Sequence, residues 1–259
     1  MTGKMNRMAR IFKNDTGKSL LVALDHGMAL GPMRGIEDIN ETMEGLLPWT
    51  DCVMMTKGML QHCYRPDGKR GIIMRLSGGA TIAGEDLRNE QIISTPEEAL
   101  YMGADAVAVG VSIGSPFEAA TLTGMAIKAA ECRKWNLPVL GIVTVGKDKE
   151  KRFDPDFLRL SARVLAEHGA DIVKTYYTHE RFEEVVKGCP APILIAGGPK
   201  CETELDVLEM VYGAIHSGAA GIAMGRNLWQ SSNPIGMIQA VYNIIHENAT
   251  VEQVKSFIL

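Results

Sequence analysis

The sequence lacks the features typical of nucleic-acid-binding, membrane-spanning and secreted proteins. Lys and Arg number 27 against 31 Asp and Glu, so there is no basic excess to hold the backbone of a nucleic acid. No stretch approaches the roughly 18–20 uninterrupted apolar residues that cross a bilayer. The first fifteen residues lack the apolar segment of a signal peptide. We therefore expect a cytoplasmic protein with neither nucleic-acid nor membrane partners.

Cysteine is scarce and scattered. The five cysteines are odd in number and form no CxxC pair: Cys52, Cys63, Cys132, Cys189 and Cys201. This pattern is typical of buried or idle thiols in a reducing compartment rather than of a zinc site or a redox pair. No cluster of His, Cys, Asp and Glu has ligand spacing either, so we predict a protein that needs no metal ion or other cofactor.

Apolar material, in contrast, is sufficient for a large core. Of the 259 residues 46% are hydrophobic and 22% charged, which suits one large α/β domain. Eight short apolar runs are bounded by Gly, Pro or Asp, and each is nearly continuous rather than alternating, as in parallel strands buried on both faces. These predicted strands are Ser19–Asp25, Cys52–Lys57, Gly71–Leu76, Ala106–Val111, Val139–Val143, Asp171–Thr175, Ile193–Ala196 and Gly221–Met224.

Helical patterns separate most of these strands. They cover Pro116–Arg133, Asp156–His168, with Phe157, Leu160, Val164 and Leu165 on one stripe, and Thr203–His216. Between Leu60 and Asn89 the segments are short and polar, so helices there are stunted or replaced by loops. Eight strands and the absence of GxGxxG after the first favour a closed barrel over a doubly wound open sheet. We predict a single (β/α)₈ TIM barrel over residues 1–259, in which residues 1–18 close the bottom and 249–259 form a C-terminal tail.

Active sites of such barrels lie at the C-terminal ends of the strands, and there Lys174 stands out. It follows Ile-Val inside the sixth strand. Burial and neighbouring cations lower the pKa of a lysine, which yields the neutral amine that attacks a ketone. The alternative is a strand-terminal lysine that reaches solvent or forms a salt bridge.

Two glycine-containing turns follow the last two strands. Gly197 and Gly198 come after the seventh strand, and Gly225 and Arg226 after the eighth. Glycines let backbone N–H groups approach phosphate oxygens, Arg adds charge, and this end of a barrel is its usual phosphate site. The alternative is that the glycines only make tight turns.

Polar residues at two further strand ends complete the set of candidates. Asp25 and His26 come directly after the first strand, where Asp25 could orient the lysine or move a proton and His26 could contact a substrate hydroxyl. Equally, they could form a capping pair. Lys147 and Asp148 follow the fifth strand and are either catalytic or part of a solvated loop. The Met-rich second strand, with Met54 and Met55, is best explained by core packing.

Several of these strand-end motifs together resemble those of the archaeal-type class I fructose-bisphosphate aldolases. Within that family the resemblance points to the branch of thiolases that break down a phosphorylated autoinducer, and it covers about residues 10 to 248. It implies a TIM barrel, a Schiff base on Lys174 assisted by Asp25, phosphate bound after strands 7 and 8, and a ring-based homo-oligomer, often a decamer. The motifs are Leu24-Asp-His-Gly27, Asp171-Ile-Val-Lys-Thr-Tyr-Tyr177, Ile195-Ala-Gly-Gly198 and Met224-Gly-Arg-Asn227, with Arg10-Ile-Phe and Thr16-Gly-Lys before them.

The chain departs from the family pattern after the fifth strand. The aldolases carry a Tyr-Pro-Arg-Gly-type segment whose Tyr donates a proton, whereas this chain reads Val143-Thr-Val-Gly-Lys147. Tyr176, Lys147 or a water molecule could replace that donor. We therefore predict a class I aldolase-type carbon–carbon lyase that acts next to the ketone of a phosphorylated sugar or short phosphoketone. Thiolase-like acyl transfer from a phosphorylated diketone to coenzyme A is one alternative, and a non-catalytic phosphosugar-binding barrel is another.

Overall fold

Eight parallel strands close into a barrel in the computed structural model, which describes residues 2–145 and 150–258. Each strand pairs with its sequence neighbours, and the eighth pairs with the first through Ser19 and Gly221. The predicted TIM barrel is confirmed, and three of the eight strands have the predicted bounds. The strands are β1 Ser19–Ala23, β2 Cys52–Thr56, β3 Gly71–Arg75, β4 Ala106–Val111, β5 Val139–Val143, β6 Ile172–Thr175, β7 Ile193–Ile195 and β8 Gly221–Met224.

Helices occupy the connections between the strands. Side-chain caps start several of them, as where Thr203 and Asp206 form a capping box. No helix in the described ranges is long and apolar enough to cross a membrane. The helices are α1 Thr2–Met8, α2 Gly27–Leu30, α3 Ile39–Leu46, α4 Lys57–His62, α5 Pro96–Tyr101, α6 Glu118–Lys134, α7 Pro155–Glu167, α8 Phe182–Gly188, α9 Glu204–His216, α10 Arg226–Trp229, α11 Pro234–His246 and α12 Val251–Val254.

The connections after β2 and β3 differ from the rest, as the weak helical signal there predicted. After β2 the chain makes only the six-residue helix α4. After β3 it leaves the barrel and returns through a short antiparallel pairing of Ser77–Gly78 with Gln91–Ile92, before α5 begins. This excursion brings residues 77–92 over the C-terminal end of the barrel.

The predicted apolar stripe of α7 is wrong at one position. Leu160 is 56% exposed. Ser161 takes its place in the core because its hydroxyl donates to the Phe157 carbonyl and needs no other partner. Hydrophobicity alone therefore selected a face rotated by one residue. The buried residues of α7 are Leu158, Ser161, Ala162 and Leu165.

Alternate residues of each strand point into the barrel and fill it. Ile11 joins this interior cluster, and a Cβ on Gly71, the first residue of β3, would strike the Arg10 carbonyl. The segment before β1 thus lies against the N-terminal ends of the strands. The interior residues from the strands are Leu21, Ala23, Cys52, Met54, Ile73, Ala106, Ala108, Leu140, Ile142, Ile172, Leu194 and Ala223.

The same alternation determines which residues form the next row toward the C-terminal end. A residue two positions beyond an interior one points to the same side of a strand, so it stands directly above that residue. Several members of this upper row are small, which leaves room above the filled interior. The row contains Asp25, Thr56, Arg75, Gly110, Thr144, Lys174, Ala196 and Gly225.

Barrel closure between β8 and β1 requires glycine at position 221. Its φ is +136°, and a Cβ there would overlap the Ser19 carbonyl oxygen. We expect Gly221→Ala to lower the free energy of unfolding by at least about 2–3 kcal/mol, since backbone strain and a backbone clash combine. Urea denaturation followed by circular dichroism measures this. Gly58→Ala is the matched control, because a Cβ at Gly58 meets nothing within 4 Å; equal midpoints for the two variants would contradict the explanation.

Candidate active site

Lys174 stands in the upper row of β6, next to Ile142 of β5 and Leu194 of β7. Its pKa is lowered to about 8, chiefly by burial and also by the nearby Arg75 and Arg226, against the opposing effect of Asp25. At pH 7 roughly a tenth of such lysines carry the neutral amine, compared with about one in three thousand for an ordinary lysine. Lys174 is therefore poised to act as a nucleophile near neutral pH.

Asp25 supplies the carboxylate beside this lysine, and Arg75 binds it. Arg75 Nη1 lies 3.0 Å from Asp25 Oδ2, and both side chains are buried. Burial by itself would raise the pKa of Asp25, but Arg75 and Lys174 hold it below the ordinary value. The carboxylate is thus ionised at neutral pH and close enough to Lys174 to influence its proton.

Arg75 is part of a longer buried network that the sequence analysis did not find. Its Nη2 donates to both carboxylate oxygens of Glu90, at 2.8 and 2.6 Å. Burial would lower the pKa of Arg75, but Glu90 and Asp25 raise it, so the guanidinium stays charged. Glu90 fits here because the neighbouring upper-row position is Gly110, where a Cβ would lie 2.7 Å from the Glu90 Cδ. Arg75 is the last residue of β3 and comes two residues after the interior Ile73. This spacing alone could have placed its side chain in the upper row.

His26 faces the same space in its neutral form. Its pKa is lowered to about 4, because burial outweighs the opposing effect of Asp25. The ring packs edge-on against Trp229 at 5.5 Å, and its buried Nδ1 has no hydrogen-bond partner in the described chain. Gly225 permits this packing, since a Cβ there would collide with the imidazole. A neutral imidazole with a free ring nitrogen can exchange a hydrogen bond with a substrate hydroxyl.

The two predicted phosphate-binding turns meet beside Lys174. Asn227 holds them together: its Nδ2 donates to Gly197 O at 2.8 Å and its Oδ1 accepts from Cys201 N. Arg226 donates to Gly198 O at 2.8 Å, while its Nε is buried and has no hydrogen-bond partner among the described residues. No ion pair with an acidic side chain of the described chain holds Arg226. A half-buried cation whose buried Nε is an unused donor is suited to an anion.

The remaining candidates for proton transfer are placed less favourably or lie outside the structure. Lys147 is outside the described residues. The Tyr176 phenol is hydrogen-bonded to Arg152, and its pKa is raised by burial, which outweighs the effects of Arg152 and Arg226. Thr144 occupies the upper row of β5, and its hydroxyl lies 2.6 Å from that of Ser112. A phenol that is neutral at working pH is able to donate a proton, so Tyr176 remains a candidate.

These side chains line a pocket of about 380 Å³ at the C-terminal end of the barrel. The volume falls within the usual range for small-molecule sites. A smaller cavity of about 130 Å³ continues it between Lys174 and the two glycine turns. In the described parts of the chain, no three His, Cys, Asp or Glu side chains are arranged to hold a metal ion. The main pocket is lined by, among others, Asp25, His26, Arg75, Arg88, Glu90, Thr144, Arg152, Lys174, Tyr176 and Arg226.

A second pocket adjoins the first and has a different character. It measures about 260 Å³, shares Arg152, Tyr176 and Pro199 with the main pocket, and shares the Gly197–Gly198 turn with the smaller cavity. Its other walls are mostly apolar. They include Phe153, Tyr177, His179, Cys201 and Met210.

Known proteins resemble this chain over nearly its whole length. A family model described as DeoC/LacD family aldolase matches residues 19–231. The 3-hydroxy-5-phosphonooxypentane-2,4-dione thiolase of Enterobacter sp. (strain 638) is 38% identical over 98% of this chain and 85% of its own length. The thiolase of the same name from Escherichia coli K12 is 38% identical over 97% of this chain and 85% of its own length.

Solved structures of aldolases also resemble this chain. An archaeal fructose-1,6-bisphosphate aldolase, with its catalytic Lys covalently bound to the carbinolamine intermediate of the substrate, superimposes with a TM-score of 0.82. It is 30% identical, and the match covers 93% of this chain and 99% of that one. The prediction of an aldolase-type enzyme is confirmed, and the chain belongs to the DeoC/LacD aldolase family.

Proposed function

We propose that this enzyme breaks or makes a carbon–carbon bond next to the ketone of a short phosphorylated substrate, through a Schiff base on Lys174. The observation that carries the proposal is the partly buried Lys174 amine, with a pKa of about 8, beside an ionised Asp25. No metal ion or other cofactor is required, because the iminium itself serves as the electron sink.

The chemistry follows from the positions of these groups. The neutral Lys174 amine adds to the ketone, and loss of water gives the iminium. The bond one carbon away from the iminium carbon then breaks, its electron pair forms an enamine, and the adjoining hydroxyl becomes a carbonyl as its proton passes to a base. Asp25 is the ionised base beside Lys174 in this site, and His26 and Tyr176 are placed to bind substrate oxygens. Protonation and hydrolysis of the enamine regenerate the amine.

The phosphate group is assigned to the space between the two glycine turns. The backbone of Gly197, Gly198 and Gly225 and the guanidinium of Arg226 surround the cavity beside Lys174. Positive charge without an acidic partner favours a dianion there. A phosphate bound at this point would place a ketone a few bonds away next to the lysine.

A second candidate is acyl transfer to coenzyme A, and the adjoining apolar pocket favours it. In that reaction the thiol adds to a second carbonyl of a diketone already bound to Lys174. The carbon–carbon bond breaks, the acyl group leaves as the thioester, and the proton of the thiol reaches the enamine carbon. The pocket beside Tyr176 has the apolar lining and the position that a thiol-bearing arm needs. The relatives named as thiolases support the same reaction.

We propose the cytoplasm as the location and a homo-oligomer, possibly a decamer built from rings, as the assembly. All five cysteines are free, as expected in a reducing compartment. Several large apolar side chains are exposed, among them Tyr101 at 89% and Met5 at 69%. Exposed apolar groups of this size are suited to contacts between copies of the chain. Within the site itself, the proposed partner is a small phosphorylated substrate.

Lys174→Arg tests the Schiff base. The variant should keep its fold and lose activity by several orders of magnitude, because a guanidinium cannot form the imine. Borohydride with a phosphorylated ketone should add one ligand mass to the wild-type chain and none to the variant, as read by intact mass. Lys57→Arg is the matched control, since Lys57 also follows a strand but pairs with Glu98. An adduct on the Lys174→Arg protein at the wild-type rate would refute the assignment.

Arg226→Ala tests the phosphate site. Loss of one charge-assisted contact, worth roughly 1.5–3 kcal/mol, should raise KM about ten- to a hundred-fold for a phosphorylated ketone. Arg226 also lowers the pKa of Lys174, so the change should be compared with that for the dephosphorylated ketone. Lys200→Ala removes a charge from the same turn, where the ammonium contacts Gln230 O, and should change KM less than threefold. Equal losses for both ketones in Arg226→Ala would rule out a phosphate contact.

Product analysis with and without coenzyme A separates the two reactions. Wild-type protein is given fructose 1,6-bisphosphate or 3-hydroxy-5-phosphonooxypentane-2,4-dione, and products are measured by mass spectrometry. If the apolar pocket takes the thiol, Met210→Trp should fill it and slow thioester formation at least about tenfold, while leaving the Lys174 adduct intact. Thioester formed equally fast by Met210→Trp would exclude this pocket, and triose phosphate released without coenzyme A would identify aldol cleavage.

A further inference from the structure

The buried network behind Asp25 contains more organisation than a Schiff base by itself needs. Resting on the proposed function, we infer that Arg75, anchored by Glu90, is a positioning residue: it occupies Oδ2 of Asp25 and leaves Oδ1 as the oxygen that exchanges protons with the substrate on Lys174. Neither Arg75 nor Glu90 needs to touch the reacting atoms for this role.

The two oxygens of Asp25 have different surroundings. Oδ2 accepts a hydrogen bond from Arg75 at 3.0 Å. Oδ1 accepts no side-chain hydrogen bond from the described residues, and the nearest ring nitrogen, Nδ1 of the neutral His26, is 3.8 Å away. A proton placed on Oδ2 would point at a guanidinium N–H, so a proton taken up by this carboxylate belongs on Oδ1.

Arg75 is held in place by bonds to all three of its nitrogens. Nη1 binds Asp25, Nη2 binds Glu90, and Nε donates to the carbonyl and hydroxyl oxygens of Ser77 at 3.2 and 3.1 Å. Arg75 as a whole residue is only 6% exposed to solvent. A rigid fork with these contacts can neither rotate nor release Asp25 without breaking several charge-assisted hydrogen bonds.

Glu90 is in turn fixed to the barrel wall. The Ser77 hydroxyl donates to Glu90 Oε2 at 2.7 Å and accepts from the backbone N–H of Gly110 at 2.8 Å. Since Gly110 belongs to β4, the chain of contacts runs from a strand backbone through Ser77, Glu90 and Arg75 to Asp25. The orientation of Asp25 is therefore set by the barrel rather than by the substrate.

The network also affects the charge of Lys174. Asp25 raises the pKa of this lysine and Arg75 lowers it, while Glu90 offsets part of the charge of Arg75. Without Arg75 the ionised Asp25 would hold the proton on the amine and slow imine formation. The charged and titratable groups of the described chain around Lys174 are Asp25 and His26 after β1, Arg75 on β3, Arg88 and Glu90 before β4, Arg152 before α7, Tyr176 after β6 and Arg226 after β8.

The test measures the rate of borohydride-trapped imine formation against pH, together with kcat and KM, using a phosphorylated ketone. In wild-type protein the trapping rate should rise through pH of about 8 as Lys174 loses its proton. We call this rise of the trapping rate with pH the limb. Arg75→Gln should move the limb to higher pH by on the order of one unit, because a neighbouring cation is lost. Glu90→Gln should move it to lower pH, because Arg75 then lacks one counter-charge.

Arg75→Lys separates charge from geometry. The charge remains, so the limb should stay within a few tenths of a unit of wild type. A single ammonium cannot bind Asp25, Glu90 and Ser77 at once, so kcat should fall roughly ten- to a hundred-fold with little change in KM. Asp105→Asn is the matched structural control. Asp105 directly precedes β4, and its buried carboxylate accepts a hydrogen bond from Ile72 N near the start of β3, at the opposite end of the strand from Arg75. This control should lower stability and leave the limb unchanged.

Three results overturn the inference. One is wild-type kcat in Arg75→Lys, and another is a limb that stays at the same pH in Arg75→Gln and Glu90→Gln. The third is a fall in kcat that, in each variant, is fully explained by the smaller fraction of folded protein, as expected for the control Asp105→Asn. An adduct on wild type together with any of these results leaves the Schiff base standing and removes only the positioning role. Absence of a wild-type adduct overturns both.

Discussion

The mouth of this barrel holds more basic than acidic side chains, and its chemistry depends on that imbalance. The described lining of the main pocket contains the basic residues Arg75, Arg88, Arg152, Lys174 and Arg226 and the acidic residues Asp25 and Glu90, and Arg88 also pairs with Asp86. Burial favours the neutral form of a lysine, and surrounding cations act in the same direction. The proton therefore leaves Lys174 more readily than it leaves an ordinary lysine, while the guanidinium groups, whose pKa is too high to follow, keep their charge for an anionic substrate.

Barrel geometry produces this arrangement with little specialised structure. The side chains of a strand alternate, so each interior residue predicts that the residue two positions later stands above it. Ile172 and Lys174, Ile73 and Arg75, and Ala23 and Asp25 are three such pairs. The apolar member fills the barrel and the polar member faces the mouth. Small residues elsewhere in the upper row, such as Gly110 and Gly225, leave the volume that Glu90 and His26 occupy.

The chain belongs to an aldolase family, and the proteins that it resembles carry two kinds of name, aldolase and thiolase. The chain shares more of its sequence with the thiolases and superimposes well on the archaeal aldolase. After β5 it has Thr144 and no tyrosine, so an aldol proton donor, if one is used, has to come from another strand. An apolar pocket beside Tyr176 supplies space for a second substrate. Both observations bear on the choice between aldol cleavage and acyl transfer to a thiol.

The sequence by itself determined the fold and singled out Lys174 as the candidate nucleophile. Continuous apolar runs define parallel strands, because burial on both faces leaves no polar positions, and eight of them with intervening helices specify the barrel. Lys174 was identifiable because a lysine in such a run is costly unless it has a use. The turns at Gly197–Gly198 and Gly225–Arg226 were readable for the same reason: they follow strands whose ends were already known.

Only the tertiary structure decided which polar groups surround that lysine. Glu90 lies in an excursion with no regular periodicity, and its contact with Arg75 joins residues on different segments. Asn227 likewise ties two turns that are about thirty positions apart. Local patterns report which face of a strand or helix is buried, as even the one-residue error at Leu160 shows, but they carry no information on pairs brought together by closure of the barrel. Such pairs set the charge and the orientation of the site, because electrostatic interactions depend on distance in space and not on separation along the chain.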